Sequence, residues 1–179
     1  YYSVATFEEI TRDKPHESLL RPLPKSGGRN NTGRKTDKWI GGGEKQQYRV
    51  IDFLRDKTGI SGKVVSVEYD PNRTPRIALV CYVDGEYRYI LCPLGLKVGD
   101  TVGSGSGLPI RDGNAMPLSD VPVGVEIHNL QLYPQSRSFL VRAAGTAAQL
   151  MNKEEDMAVI KLPSGEIRMS CNELLPLGS

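Results

Sequence analysis

Short β-favouring runs, each closed within a few residues by glycine, proline or an Asp/Asn turn, limit what this chain can fold into. Glycine and proline make up 31 of its 179 residues, well above ordinary usage, and this disfavours a helical bundle. Tyr48–Leu54 is β-rich and ends at the turn Asp56-Lys-Thr-Gly59. Gly62–Tyr69 runs to Asp70-Pro-Asn-Arg73, a strong turn signal. Ile77–Tyr82 and Tyr87–Cys92 flank Asp84-Gly85, the dipeptide that best marks a hairpin. Lys97–Val102 then leads into Gly103-Ser-Gly-Ser-Gly107, expected to be a flexible loop. Strands at this spacing predict a small barrel.

Turn chemistry between Pro109 and Pro122 breaks the pattern. Beyond it, Gly124–Leu132 alternates, and Val125, Ile127, Leu130 and Leu132 can face inward after one slip. Phe139–Arg142, Ala147–Met151, Met157–Leu162 and Glu166–Met169 follow, which predicts a second small barrel. The run Glu154-Glu155-Asp156 reads as a solvated hairpin tip. At the other end, Thr6 and Glu9 resemble a capping box, but Pro15, Pro22 and Pro24 stop any long helix. Residues 1–24 are therefore expected to form an extension with one helical turn, whose Leu19, Leu20 and Leu23 dock elsewhere. The chain begins at Tyr1 rather than Met, so a missing or processed N-terminus is expected. No apolar run reaches about 18 residues, so no transmembrane helix is expected. No secretory signal pattern opens the chain.

The net charge of +2 hides an uneven distribution. From Arg21 to Arg49 eight basic residues face only Asp37 and Glu44, so this segment carries +6 and the rest sums to −4. A local basic segment on a mildly acidic body points to a polyanion, although a solvated loop fits the charge alone equally well. Within it, KSGGRNNTGRKTDKWIGGGEK (25–45) holds six glycines and almost nothing that could form a core. Gly28 and Gly33 followed by Arg34-Lys35-Thr36 nearly spell a phosphate-binding loop, but Arg34 intrudes, and neither a core strand before nor a helix after is present. Nucleic acid suits the segment better. Arg29, Arg34, Lys35 and Lys38 can neutralise phosphates, Asn30 and Asn31 can bond sugar and base edges, and glycine permits close backbone approach. Trp39 can stack on an unpaired base or anchor the segment against its own barrel. Such a segment can be disordered alone and ordered on a polyanion.

Cys81, Cys92 and Cys171 are odd in number and far apart, so buried reduced thiols in a reducing compartment are expected, not a zinc site or a disulfide framework. His16 and His128 are the only histidines and have no partner motif. His128 is expected to be structural or to contact RNA, not to act as a catalytic base. No catalytic constellation, cofactor site or metal site is expected.

The runs SGGRNNTGR (26–34), IGGGEKQQYRVIDF (40–53), VEYDPNRTPRIALV (67–80), GEYRYILCPLGLKVGD (85–100), GNAMPLSDVPVG (113–124), IHNLQL (127–132), VRAAGTAAQLM (141–151) and IKLPSGEIRM (160–169) together resemble the bacterial-type large ribosomal subunit protein two. The resemblance covers nearly the whole chain in order. It implies an all-β fold: an extended N-terminal arm (1–34), an OB-fold RNA-binding barrel (35–112) and an SH3-like barrel (113–179). It implies a non-enzymatic structural protein that binds large-subunit ribosomal RNA near the peptidyl transferase centre and supports subunit association, tRNA placement and assembly. The implied partners are that RNA, neighbouring ribosomal proteins and the small subunit at an intersubunit bridge. The implied location is the large subunit, in a bacterial cytoplasm or an organelle interior. The family's RNA-contact motifs match Arg29, Asn30, Asn31, Arg34, Gly42 within Gly41–Gly43, Lys45, Tyr48, Arg49, Arg73, His128-Asn129 and Arg142.

This sequence departs from that family in three ways. The family is strongly basic and this chain is barely so. Thr36-Asp-Lys-Trp39 and Glu44 stand where the family has Thr-Arg-His and a histidine, so Asp37 and Glu44 oppose phosphate. The family's long basic glycine-rich tail has no counterpart before the sequence stops at Leu177-Gly-Ser179. A split or organellar form fits these departures. So does a truncated or redesigned two-barrel module that has lost most RNA affinity and binds protein neighbours.

Overall fold

The computed structural model describes residues 7–131, 140–154, 157–171 and 177–178. They contain eleven strands, one 3-10 turn (Glu17–Leu19) and no α-helix. The expected all-β class is what the chain adopts; the one helical turn of the described N-terminal extension is this 3-10 turn, which follows His16 without a side-chain cap, whereas Thr6 of the expected capping box lies outside the described residues.

Strand β1 (Leu20–Pro22) pairs antiparallel with β2 (Gln47–Arg49), closing a long ribbon whose connection is the glycine-rich basic segment. Next come β3 (Gly62–Glu68), β4 (Ile77–Tyr82), β5 (Tyr87–Leu91) and β6 (Thr101–Val102), in the sheet order β5-β4-β3-β6. The uninterrupted apolar run of β4 is explained by burial on both faces. Ala78, Val80 and Tyr82 pack with Val64, Ile90 and Val102 on one side, while Ile77 and Leu79 pack with Ile51, Tyr89 and Leu91 on the other. Each such fully buried side chain contributes about 1.5–3 kcal/mol. Gly62 lies so close to the next strand that a Cβ there would sit 2.4 Å from Val80 Cγ1. A bulge between Val64 and Ser66 turns Val65 outward.

The second face of this sheet needs a cover, and the N-terminal extension supplies part of it. Leu19 packs on the Ile77/Leu79 cluster, so it docks on its own sheet. His16 N–H donates to Tyr89 Oη at 2.8 Å, and Tyr89 Oη donates to buried Glu68 at 2.6 Å, where Ser66 Oγ also donates at 2.8 Å. This chain of bonds satisfies a carboxylate that would otherwise be costly to bury. Leu23, by contrast, remains exposed. At Asp84-Gly85 the expected hairpin forms, with Gly85 N–H bonded to Tyr82 O at 2.9 Å and Gly85 at φ +84.

The second sheet has the order β10-β9-β8-β7-β11, formed by β7 (Glu126–His128), β8 (Ala148–Lys153), β9 (Met157–Lys161), β10 (Ile167–Cys171) and β11 (Leu177–Gly178). Its core joins Ile127 and Leu130 to Leu118, Leu150, Ala158 and Ile160. The expected slip in the 124–132 run falls at Asn129, which takes φ +55; Leu132 lies outside the described residues. Glu154 and Met157 exchange backbone bonds that close the β8–β9 turn, whose residues 155–156 are likewise outside.

Three expectations need correction. Phe139–Arg142 is not a strand: Phe139 is outside the described residues, Leu140 makes only an isolated bridge to Leu130, and Val141 sits at φ +55, which breaks extended geometry. The 103–107 segment is not wholly a loose loop. Gly103 and Ser104 are buried, Gly103 O accepts from Arg55 Nη2 at 3.2 Å, and Ser104 Oγ donates to Arg55 O at 2.6 Å. The three cysteines are free, as expected, but only half-buried.

Candidate nucleic-acid interface

The basic segment between β1 and β2 is shaped by its own backbone. Arg29 and Lys35 form an isolated antiparallel bridge, and the turn between them is tied by Asn30. Asn30 Oδ1 accepts from Thr32 N–H (3.1 Å), Thr32 Oγ1 (2.7 Å) and Arg34 N–H (2.9 Å), an Asx-type closure. Its carbonyl is therefore committed to the turn, and its amide Nδ2 is what remains for a ligand. Gly28 accounts for the fold of the loop base. It has φ +76, a Cβ there would lie 2.8 Å from Asp37 O, and its carbonyl accepts from Thr36 N–H at 2.9 Å.

From residue 29 to 45 every side chain is exposed. Trp39 is 97% exposed at φ +65, which removes the option that it anchors the segment on the chain's own barrel. Asp37 and Glu44 share this surface. Lys25 Nζ donates to Glu44 O at 2.5 Å and holds the far limb of the loop. Added Cβ atoms at Gly41 and Gly42 would meet almost nothing of this chain, and neither glycine has positive φ. Among the described residues, no contact or torsion requires glycine there.

A second group of the expected residues meets at the seam between the two sheets. Buried Asp70 accepts from Asn72 N–H (2.9 Å) and Arg73 Nε (2.5 Å), which builds the Asp-Pro-Asn-Arg turn. Asn72 Nδ2 docks that turn on Gln47 O at 2.8 Å. The Arg73 guanidinium then lies 5.7 Å from the Tyr48 ring centroid and 5.6 Å from that of Phe53. Arg142, reaching from the segment between β7 and β8, stands 4.4 Å from the same Phe53 ring. Asn129 Nδ2 donates to Phe53 O at 3.1 Å, and Asn129 N–H donates to Val141 O at 2.8 Å, so two residues in left-handed backbone aim Arg142 at Phe53.

Two guanidiniums thus share one aromatic ring with one ion-paired carboxylate between them. Burial, and then the nearby Arg73 charge, hold the Arg142 guanidinium's pKa below its usual value. No carboxylate pairs with Arg142 among the described residues, so the seam carries a surplus positive charge that an anion would relieve. Phe53 was not singled out from the sequence. Its signal was its place in a β-rich run beside Asp52, and nothing there marks an arginine platform.

His128 and Arg55 sit behind this surface. His128 is 9% exposed, its Nε2 is enclosed without a partner, and burial followed by the Arg55 charge pushes its pKa down to about 4. It is a neutral, largely enclosed ring, so the structure gives it a core position. Arg55 is 1% exposed at φ +52, fixed by the Gly103–Ser104 bonds above. It went unnoticed in the sequence because it reads as part of a turn. Arg49 is half-buried in β2 and donates from Nη1 to Gln47 O at 3.1 Å. Among the described residues no group of His, Cys, Asp and Glu could hold a metal, and no helix is long and apolar enough to cross a membrane.

The geometry therefore offers an exposed basic arm and a cationic seam on an all-β scaffold. Comparison with known families agrees. Residues 16–104 match the family described as Ribosomal Proteins L2, RNA binding N-terminal domain, and residues 111–174 match Ribosomal Proteins L2, C-terminal domain. The four-stranded and five-stranded sheets are accordingly its OB-fold and SH3-like units, and the family is one of structural ribosomal proteins, not of enzymes. With consecutive matches over most of its length, the chain belongs to the ribosomal protein L2 family of the large ribosomal subunit.

Proposed function

We propose that the chain binds large-subunit ribosomal RNA near the peptidyl transferase centre through two cooperating surfaces, and so supports subunit assembly and subunit association. The arm tip, with Arg29, Asn30, Asn31, Arg34, Lys35, Lys38, Trp39, Gly42 and Lys45, lies along the RNA backbone. Tyr48, Arg49, Arg73 and Arg142 receive a phosphate at the seam. His128 acts from behind by packing, not by contact. The N-terminal extension ends near residue 34, the remainder of the basic loop belongs to the first barrel, which ends near 112, and the second barrel carries the contact toward the small subunit.

The observation that carries this proposal is the arm itself. A loop with +6 net charge between Arg21 and Arg49 holds its own turn geometry, exposes every cation from Arg21 to Lys45 and leaves Trp39 bare. Cationic side chains release counterions from the phosphate backbone, and an exposed indole stacks on a base. Gly41 and Gly42, which no contact among the described residues requires, suit close approach by a sugar–phosphate strand.

A salt titration of binding to a matching large-subunit RNA fragment, with an unrelated duplex as control, tests this. Specific binding with a steep salt slope is expected. Equal, weak binding to both RNAs would support the alternative, a two-barrel module with little RNA affinity that binds protein neighbours. Asp37 and Glu44 on the arm favour that alternative.

A further inference from the structure

The arm is basic, but the outer edge of the first sheet is the reverse. A groove of about 280 Å³ opens beside β5. Leu19, Val50, Leu54 and Tyr87 give it an apolar lining, and Val50, Leu54 and Tyr87 are each more than a third exposed. Its rim carries Asp52, Asp56 and Glu86 around a single Arg88. Arg88 Nη1 bonds Asp52 Oδ2 at 3.0 Å and also Asp56, and its Nε bonds Glu86 Oε1 at 2.7 Å. Three carboxylates on one guanidinium leave the rim at −2. Glu86 also bonds Lys57, which in turn pairs with Asp84, so widening the network adds one charge of each sign and leaves the balance at −2. Hydrogen bonds from Arg88 and then Lys57 keep the Glu86 carboxyl below its usual pKa, so it stays ionised.

Such a rim repels a phosphate backbone and attracts cations. The exposed apolar floor calls for more than a free cation. Strand β5 is also the edge of its sheet, bridged on its outer side, among the described residues, by Ile51 only at Tyr89. An unpaired edge accepts an added extended strand.

We infer that this groove is a protein-docking site for an extended segment that alternates lysine or arginine with an apolar side chain. The apolar side chains fill the space over Leu54 and Val50, the cations meet Asp56 and Glu86, and the backbone lies along the free part of β5 near Tyr87. This assigns RNA and protein partners to different surfaces of one chain. It holds whether or not the arm binds RNA as proposed above.

The test uses the full chain and a fluorescent ten-residue peptide of alternating lysine and valine, read by anisotropy. A peptide with glutamate in place of lysine and an RNA duplex serve as comparisons. The double variant Leu54→Lys/Asp56→Asn is expected to weaken the lysine peptide at least tenfold. Val83→Lys, which adds a charge outside the groove at an exposed site, is expected to leave it unchanged. The double variant should bind RNA through the arm no less tightly than the parent, and a urea-unfolding curve that overlays the parent's reports that it folds. Equal binding of the glutamate peptide, equal loss in Val83→Lys, or displacement of the lysine peptide from this groove by the duplex would overturn the assignment. Failure of all RNA binding with peptide recognition intact would instead count against the arm proposal alone.

Discussion

The arm tip and the seam carry the same kind of side chain under opposite conditions. At the tip, Arg29, Arg34, Lys35 and Lys38 are exposed on a turn that Asn30 and Gly28 close, with Arg29 Nη1 also donating to Gly33 O at 3.0 Å. At the seam, Arg73 and Arg142 lie on the Phe53 ring, and the backbone that holds them also joins the two sheets. The difference teaches that charge can be placed for a partner in two ways. At the tip it costs the fold almost nothing and contributes almost nothing to it. At the seam the cation is part of the packing, so affinity and stability cannot be altered separately.

The sharpest way to break this contrast is at its aromatic centre. Phe53→Ala removes the platform of both arginines and part of the Ile77/Leu79 cluster. Loss of about 3 kcal/mol is expected in urea unfolding, together with weaker RNA binding. If stability is unchanged, the seam is not structural. Acid probes the seam's enclosed neighbour next. Burial lowers the His128 pKa from 6.5 to about 4, so the unfolded chain takes up this proton first as pH falls. Stability is then fully present above about pH 6.5, declines between 6.5 and 4, and this contribution levels off below 4; the loss is on the order of 3 kcal/mol. Unfolding followed across that range should show the slope in the parent and a flatter one in His128→Asn.

Smaller effects belong to the tip. Trp39→Ala should lower RNA affinity roughly tenfold while shifting stability by less than about 0.5 kcal/mol, measured by anisotropy and by thermal melting. Equal loss in both would return Trp39 to an anchoring role. Gly42→Ala is expected to be the mildest. With open space around the new Cβ, the melting temperature should not move, and only the affinity for RNA should fall, by a few-fold.

Much of the fold was readable because the chain punctuates its strands. Ile77–Tyr82 was bounded to the residue, and the Asp84-Gly85 hairpin followed from turn chemistry alone. What failed depended on long-range contacts. Phe139–Arg142 looked like a strand by composition, but Asn129 and Val141 pair in left-handed backbone and turn Arg142 across to the other sheet. Gly103 and Ser104 looked like linker residues, and no local signal tells that they enclose Arg55, 48 and 49 positions away. The arm's charge was legible as composition. Phe53 as a platform was not, because its two arginines come from positions far along the chain. His128 shows the opposite limit: a motif match names the residue, whereas burial decides what it can touch.

The central claim is that the arm carries RNA affinity without carrying the fold. The direct measurement is a pair of curves, RNA titration and urea unfolding, on Arg29→Glu/Arg34→Glu/Lys38→Glu beside the parent chain. The account predicts a fall in affinity of roughly 100-fold or more at low salt, with a shallower salt slope, and unfolding curves that overlay. Retained affinity, or a loss of stability that matches the loss of binding, would contradict it.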